Sequence, residues 1–360
     1  MPYDCVKDSG NIPCSKAHQS LKLNDAHKLP SIAETTEHNV PDMVLREQFV
    51  KSDSDNGISQ FNKILIVGLG QLGLPVAKYV KERGFETSGY DIKPKAMQVA
   101  GLSSIKEAIK FDDYDVIVLC ISTHKPDDIF SPQVDGLLSI VEKISKEAKT
   151  EALVSIESTV PKGTSKKVFE LLNHRLHVVH APHRWYALEE KEHGVNQLRV
   201  IGGVCDCCLK AGMQFYDGRH IQTLYSSPSF SVNSHHRINN AKSLGIPMHP
   251  VPEIELAEIT KVVENAHRYL QIAFAEELYL YCQENNMSFP ELRDALNTKW
   301  NVNILEPREG IGGHCLPKDT KMFQESSKKE NKILKAAMQL DEDYRRFRSN
   351  LDRGLKSTVI

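Results

Sequence analysis

A short apolar run that ends in a glycine-rich turn and opens a helix limits this chain more than any other feature. Residues 63–67 read KILIV, followed by Gly68-Leu69-Gly70-Gln71-Leu72-Gly73 and then LPVAKYVKERG. An unbroken Ile/Leu/Val run of this length suits a strand buried on both faces of a parallel sheet. The next segment has helical apolar spacing and stops at Gly84. A G-x-G-x-x-G turn alone is weak evidence and also occurs without a ligand. Here it has the strand before it, the helix after it, and Asp91 eighteen residues beyond Gly73 at the end of a second strand, ETSGYDI. That context is what a dinucleotide site needs. Gly68 allows the tight turn, Gly70 lets the backbone approach a pyrophosphate, and Gly73 allows close helix–strand packing. Gln71 and Leu72 complete the loop at the helix N-terminus, which favours an anion. Asp91 suits a ribose 2′-hydroxyl and repels a 2′-phosphate, so the expected cofactor is NAD.

The alternation continues. DVIVLCIS, ALVSIES, LHVVHAP and LRVIGG read as strands, with VDGLLSIVEKISKEAK and GTSKKVFELLNH as helices between them. Ser122 and Thr123 follow the third strand, where a cofactor would lie. The alternation predicts a doubly wound parallel sheet up to about residue 226. Residues 1–60 are polar and without period, and are expected to be a disordered extension. Residues 227–252, rich in proline, read as a linker or insertion. A helix from about Glu253 to Asn285 follows, longer than globular helices usually are. Its length suggests a domain spine or a homodimer seam. SFPELRDALN reads as a further helix with a capping box, Ser288 to Glu291. KMFQESS and ILKAAMQLDEDYRRFR are helical. The expected organisation is therefore an extension at 1–60, a cofactor domain at 61–226, a linker at 227–252, a helical central domain at 253–330, and a C-terminal helix and tail at 331–360.

Composition excludes some partners. Lys+Arg 45 against Asp+Glu 47 gives a net charge of -2, so no basic field points to nucleic acid or an anionic membrane. No apolar run approaches a membrane span or a secretory signal core. A cytoplasmic protein with reduced thiols is the expectation. The cluster Cys205-Asp206-Cys207-Cys208 could bind a soft metal, but no Cys or His pair stands at finger-like spacing, so small residues at a strand-to-helix turn are the reading adopted and no metal is expected.

Near the C-terminus the chain reads REGIGGHCLPKDTKMF, residues 308–323. Cys315 follows Gly312-Gly313 and precedes Pro317-Lys318-Asp319. Proline suits a first helical turn. A cysteine at a helix N-terminus beside a lysine is favoured as a thiolate. By itself this could also be a buried cysteine in a glycine-rich turn. Likewise Lys261 and Asn265, four apart on the long helix, share one face but could be edge residues.

Taken in order, the glycine loop, Glu157-Ser158-Thr159-Val160-Pro161-Lys162-Gly163-Thr164, the helix segment AEITKVVENAHR and GIGGHCLPKD resemble the UDP-glucose/GDP-mannose dehydrogenase family. The resemblance covers about residues 62–348. VVENAHRYLQIAFAEEL with NVNILEPREGIGGHC is most similar to the UDP-N-acetylhexosamine 6-dehydrogenase branch, while LPKDTK is nearer the UDP-glucose branch. The resemblance implies a Rossmann-type parallel sheet followed by an all-α central dimerisation domain. It implies that Cys315 is a nucleophile, that Lys261 and Asn265 polarise the reacting oxygen, that Asp319 organises water or the lysine, and that Thr159 lies near the reacting water. His183, Arg184, Arg268, Gly312, Gly313 and Lys318 would face the substrate. The implied reaction takes a nucleotide-sugar C6 alcohol to the acid with two NAD, through a thiohemiacetal and a thioester on Cys315. Two departures bear on this. His183 stands where the family carries a glutamate. The family's pattern also continues into a nucleotide-binding domain beyond the point where this sequence stops. A smaller hydroxyl substrate and a non-catalytic dinucleotide-binding partner protein therefore stay open as alternatives.

Overall fold

The computed structural model describes residues 61–353 except 94, 97–102, 105–109, 126, 129, 185–193, 219–241 and 328–329. The expected extension at 1–60 lies outside the described residues, as do Trp185, Tyr186 and most of the expected linker.

The described strands are β1 (Lys63–Val67), β2 (Glu86–Tyr90), β3 (Ser103–Ser104), β4 (Val116–Leu119), β5 (Leu153–Ile156), β6 (His177–His180), β7 (Arg199–Gly203) and β8 (Met248–Val251). They form one sheet in the order β3-β2-β1-β4-β5-β6-β7-β8. The connecting helices are α1 (Gly73–Glu82), α2 (Asp135–Glu147), α3 (Thr164–Leu171) and α4 (Asp206–Tyr216). Successive side chains of a strand point to opposite faces. Ile64 and Ile66 accordingly join one apolar core with Val76, Val80 and Phe215, while Leu65 and Val67 join another with Leu137, Val141 and Ile144. A strand buried on both faces has no place for a polar residue, which is why KILIV is uninterrupted.

The sheet departs from expectation in two places. β7 runs antiparallel to β6, with Val179 opposite Gly203 and His180 opposite Gly202. Residues 248–251, read from the sequence as linker, form β8 parallel to β7. Pro250 masked this strand in the sequence, but an edge strand tolerates proline because one side of it makes no ladder bonds. The sheet therefore reaches to the foot of the long helix rather than stopping at 226.

That helix is α5 (Ile254–Glu284), 31 residues. It is followed by α6 (Phe289–Asn297), α7 (Cys315–Ser326) and α8 (Lys332–Asp352). Ser288 is the N-cap of α6, but its side chain makes no cap bond, so the expected capping box is not formed. Tyr269 and Ala273 of α5 pack with Ile311 and with Ala337 of α8. The Tyr269 hydroxyl donates to Asp341 Oδ2 at 3.1 Å, and the Tyr279 and Tyr344 rings meet edge to face. The C-terminal helix thus packs against the long helix.

Candidate active site

The cofactor loop has the expected backbone. Gly68 adopts φ +91°, and a Cβ there would lie 2.4 Å from the Cys120 carbonyl oxygen. At Gly73 a Cβ would meet the Gly68 oxygen at 1.7 Å. Any side chain at either position would break the crossing of β1, β4 and α1. Gly70 differs, because a Cβ there would meet nothing within 4 Å. The glycine that should let a phosphate approach is the one that faces open space. Asp91 accepts from the backbone N–H of Leu69 and of Lys93, each at 2.8 Å. It pins the loop to the end of β2, and each carboxylate oxygen keeps a lone pair for a ribose hydroxyl. Gln71 is exposed and Leu72 packs partly against the first core. These residues fit NAD.

At the same edge of the sheet, the segments after β4 and β5 meet α7. The Thr123 hydroxyl donates to the Thr159 carbonyl at 2.7 Å and receives the Lys318 ammonium at 3.2 Å. Lys318 Nζ also lies 2.7 Å from Asp319 Oδ1, with both side chains buried. Asp319 Oδ2 accepts from Asn265 Nδ2 at 2.5 Å. One chain of polar contacts therefore runs from the sheet edge through α7 to α5. Asn265, Asp319, Lys318, Thr123 and Thr159 come together through it. Ser122 stands exposed beside them, its hydroxyl 2.8 Å from His124 Nδ1.

Lys261 lies one turn before Asn265, on the same face of α5. Burial lowers its pKa, against the charges of Asp319, Glu264 and Cys315, which raise it. Cys315 is the first residue of α7, as expected. Its thiol is not favoured as a thiolate, however. Burial and the Asp319 carboxylate push it up, and Lys318 and Lys261 only partly offset them. The sequence showed the helix end and the lysine but could not show the carboxylate one turn along facing the same sulfur. Gly312 and Gly313 leave the approach to Cys315 open, since a Cβ at either would meet nothing within 4 Å.

Three residues expected to face substrate are otherwise engaged or set apart. His183 is buried, and its Nε2 lies 2.5 Å from Glu157 Oε2, at an angle outside a well-formed hydrogen bond. Arg184 pairs with Glu264 and donates to the Leu198 carbonyl at 3.0 Å. Arg268, two turns along α5 from Lys261, is exposed.

Glu157 is the residue that sequence reasoning undervalued. It is 1% exposed and sits immediately after β5. Tyr216 donates to its Oε1 at 2.5 Å, and Arg199, fully buried, places Nη1 3.2 Å from the same oxygen. Burial raises the Glu157 carboxyl, but the charges of His183 and Arg199 and the hydrogen bond from Tyr216 overcome this and bring it down to about 2. Burial brings His183 down to about 4. The imidazole is therefore neutral near pH 7, and Arg199 is the lasting counter-charge. The only signal in the sequence was an Arg opening an apolar strand. Glu258 of α5 was also missed. It is buried and accepts from the backbone N–H of Gly163 at 2.6 Å and Ser165 at 2.7 Å, capping α3. Through it the long helix holds the loop that carries Thr159.

Two family models match the chain and together span more than half of it. Residues 96–220 match the NAD binding domain of the UDP-glucose/GDP-mannose dehydrogenase family, and residues 255–343 match its central domain. The UDP-N-acetyl-D-mannosamine dehydrogenase of Methanococcus maripaludis is 26% identical over 80% of this chain and 67% of its own length. That of Campylobacter jejuni is 26% identical over 81% of this chain and 74% of its own. Among solved structures, the UDP-D-ManNAc dehydrogenase of Pyrococcus horikoshii shares the fold, with a TM-score of 0.65 at 23% identity over 82% of this chain and 73% of that one. Among the described residues, no helix is long and apolar enough to cross a membrane. A glycine loop built for NAD and a cysteine helix joined to the sheet edge agree with both matched domains: the chain belongs to the UDP-glucose/GDP-mannose dehydrogenase family.

Proposed function

We propose that this chain oxidises the C6 alcohol of a nucleotide sugar to the carboxylate by way of a covalent step on Cys315. The observation that carries the reading is the convergence of Lys261, Asn265, Cys315 and Asp319 beside Thr123 and Thr159, next to the cofactor loop. A purely binding module has no use for a thiol, an amine and a carboxylate held together. The names of the relatives support the substrate class.

Bound NAD accepts hydride, and alcohol to acid is a four-electron change, so two NAD are consumed per product. The residues divide the remaining work. Lys261, whose burial favours the neutral amine, takes the hydroxyl proton as the aldehyde forms. Cys315 enters as a thiol. Its sulfur bonds to the aldehyde carbon, and its proton passes to the carbonyl oxygen, giving a thiohemiacetal. Loss of a second hydride, with the hydroxyl proton passing to solvent, leaves a thioester. The amine of Lys261, now charged, and the Asn265 amide face the oxygen that gains negative charge when water attacks. Asp319 orients Asn265 and the water, and Thr159 lies at the water's approach. Sulfur departs as the thiol, and the acid is released.

The test is stoichiometric. The protein is incubated with NAD and UDP-N-acetylmannosamine, UDP-N-acetylglucosamine or UDP-glucose, and NADH and acid are quantified. Two NADH per acid, abolished in Cys315→Ala, is the expected result. Turnover confined to small alcohols, or NAD binding without turnover, would overturn the reading.

We also infer a homodimer through α5. Leu256, Phe274 and Tyr281 are 45%, 51% and 51% exposed, large apolar residues on a helix that otherwise packs against its own chain. At 100° per residue, their spacing of eighteen and seven puts all three on one face. A monomer by light scattering at micromolar concentration would refute it.

A further inference from the structure

Three donor groups converge at a place the oxidation does not use, and a third thiol, Cys205, stands against two of them. Cys205 is the N-cap of α4, Cys207 and Cys208 lie in its first turn, and His177 opens β6. In the sequence, His177 is far from the cysteines and shows no ligand spacing. The antiparallel pairing of β6 with β7 brings it to them. Val204 N donates to Val178 O at 3.2 Å, so the chain leaving β7 runs back along β6 and reaches His177 at Cys205. Cys205 Sγ lies 2.8 Å from Cys207 Sγ and 3.2 Å from Cys208 Sγ. One ligand atom each from His177, Cys207 and Cys208 lie within 4.8 Å of one another. All three cysteines are free.

Packing and capping account for two of the four: Cys205 packs against the first core, and its Sγ accepts from Cys208 N at 3.5 Å at the start of α4. Cys208 is buried in the first core and accepts from Val178 N at 3.3 Å. A small apolar side chain would serve there. Neither role explains an exposed Cys207 and an imidazole turned to the same point. Three thiols and one imidazole are a donor set that closes a tetrahedral structural zinc site. With Zn–S about 2.3 Å, sulfurs on a tetrahedral ion stand about 3.7 Å apart. The thiols would need to spread by less than about an ångström, and the exposed Cys207 has room to do so.

The location argues for a structural role. β6 begins at His177, whereas Glu157, Thr159 and His183 follow the ends of β5 and β6. The cluster is therefore at the opposite edge of the sheet from the active site. An ion there would fasten the turn where the sheet changes from parallel to antiparallel.

We propose that His177, Cys205, Cys207 and Cys208 form a four-ligand site for a thiophilic divalent ion of the zinc class. The test uses the full chain, purified under reducing conditions without chelator. Elemental analysis should find about one zinc per chain. After zinc is stripped, added Co2+ should give thiolate-to-cobalt charge-transfer absorption. Both signals should be lost in Cys207→Ser and in His177→Gln, and both should persist in Cys315→Ser, which separates this site from the reactive thiol. Removing the ion should lower the Tm of the wild type and leave that of Cys207→Ser unchanged. Cys207 is exposed, so its serine variant should fold. A reduced wild type that takes up neither ion would overturn the proposal. So would thiol mapping that finds Cys205 joined to Cys207 or Cys208 in a protein with no metal affinity once reduced.

Discussion

Glu157→Gln tests the electrostatics beneath the candidate site. The substitution keeps shape and removes charge. In the wild type the carboxylate is the counter-ion of Arg199, and neither side chain reaches water. A fall from 4.5 to about 2 corresponds to about 3 kcal/mol in favour of the charged form. Part of that lowering needs a charged His183, which is neutral near pH 7. The substitution also strands Arg199, and breaking a buried pair costs about 3–5 kcal/mol. The low end of that range, about 3 kcal/mol, is the expected loss. For a chain of this size it should lower Tm by roughly 5–10 °C. The assay is thermal and urea unfolding at pH 7 of the wild type, Glu157→Gln, Arg199→Met and the double variant. The double variant should be less destabilised than the sum of the singles by about 1.5 kcal/mol or more, because neither charge is then left alone. If Glu157→Gln lies within about 1 kcal/mol of the wild type, or the two changes simply add, Glu157 is not the counter-ion and the reasoning fails.

Three further outcomes are expected. Gly70→Val, placed in open space, should leave Tm unchanged but raise the Kd for NAD about tenfold or more, measured by calorimetry; unaltered affinity would remove the cofactor from this loop. Asn265→Ala breaks the hydrogen bond to the buried Asp319 carboxylate. It should lower kcat about ten- to hundredfold with a smaller change in KM, from the ~1.5–3 kcal/mol such a bond contributes. Acid should destabilise the fold well above the carboxylate range. Burial holds His180 down at about 3 and His183 at about 4, from 6.5, so both are neutral in the folded chain while the unfolded chain takes up protons below 6.5. Their stabilisation is whole above about pH 6.5 and is lost as pH falls toward 4, at about 2.7 kcal/mol per pH unit for the two together. In His183→Gln the slope over this window should be about halved.

The cofactor half of the molecule was legible because its demands are local. A strand buried on both faces must read as unbroken Ile, Leu and Val, and the crossing at Gly68 and Gly73 admits no Cβ. Those requirements sit in eleven consecutive residues. Lys261 and Asn265 could be paired by helix spacing alone. Cys315 could be placed at the helix start from its glycines and Pro317. The state of that thiol could not be read, because burial and Asp319 oppose the lysines in a balance set by distances.

The rest was decided by tertiary structure. β8 was hidden because a proline is tolerated at a sheet edge, and whether a strand is an edge depends on its neighbours. Glu157 looked like one residue of a motif until Arg199, Tyr216 and His183 arrived from three other elements to surround it. Glu258 and Lys318 likewise gained their roles from partners far along the chain. His177 and the Cys205 cluster acquired a shared meaning only because β7 runs against β6. The sequence by itself determined the parallel strands from β1 to β6, the NAD loop and the positions of the cysteine and lysine, since backbone sterics and apolar periodicity act between near neighbours. Which charges meet in the interior, and therefore what each can do, was settled only where distant segments came together, because burial and charge depend on proximity in space.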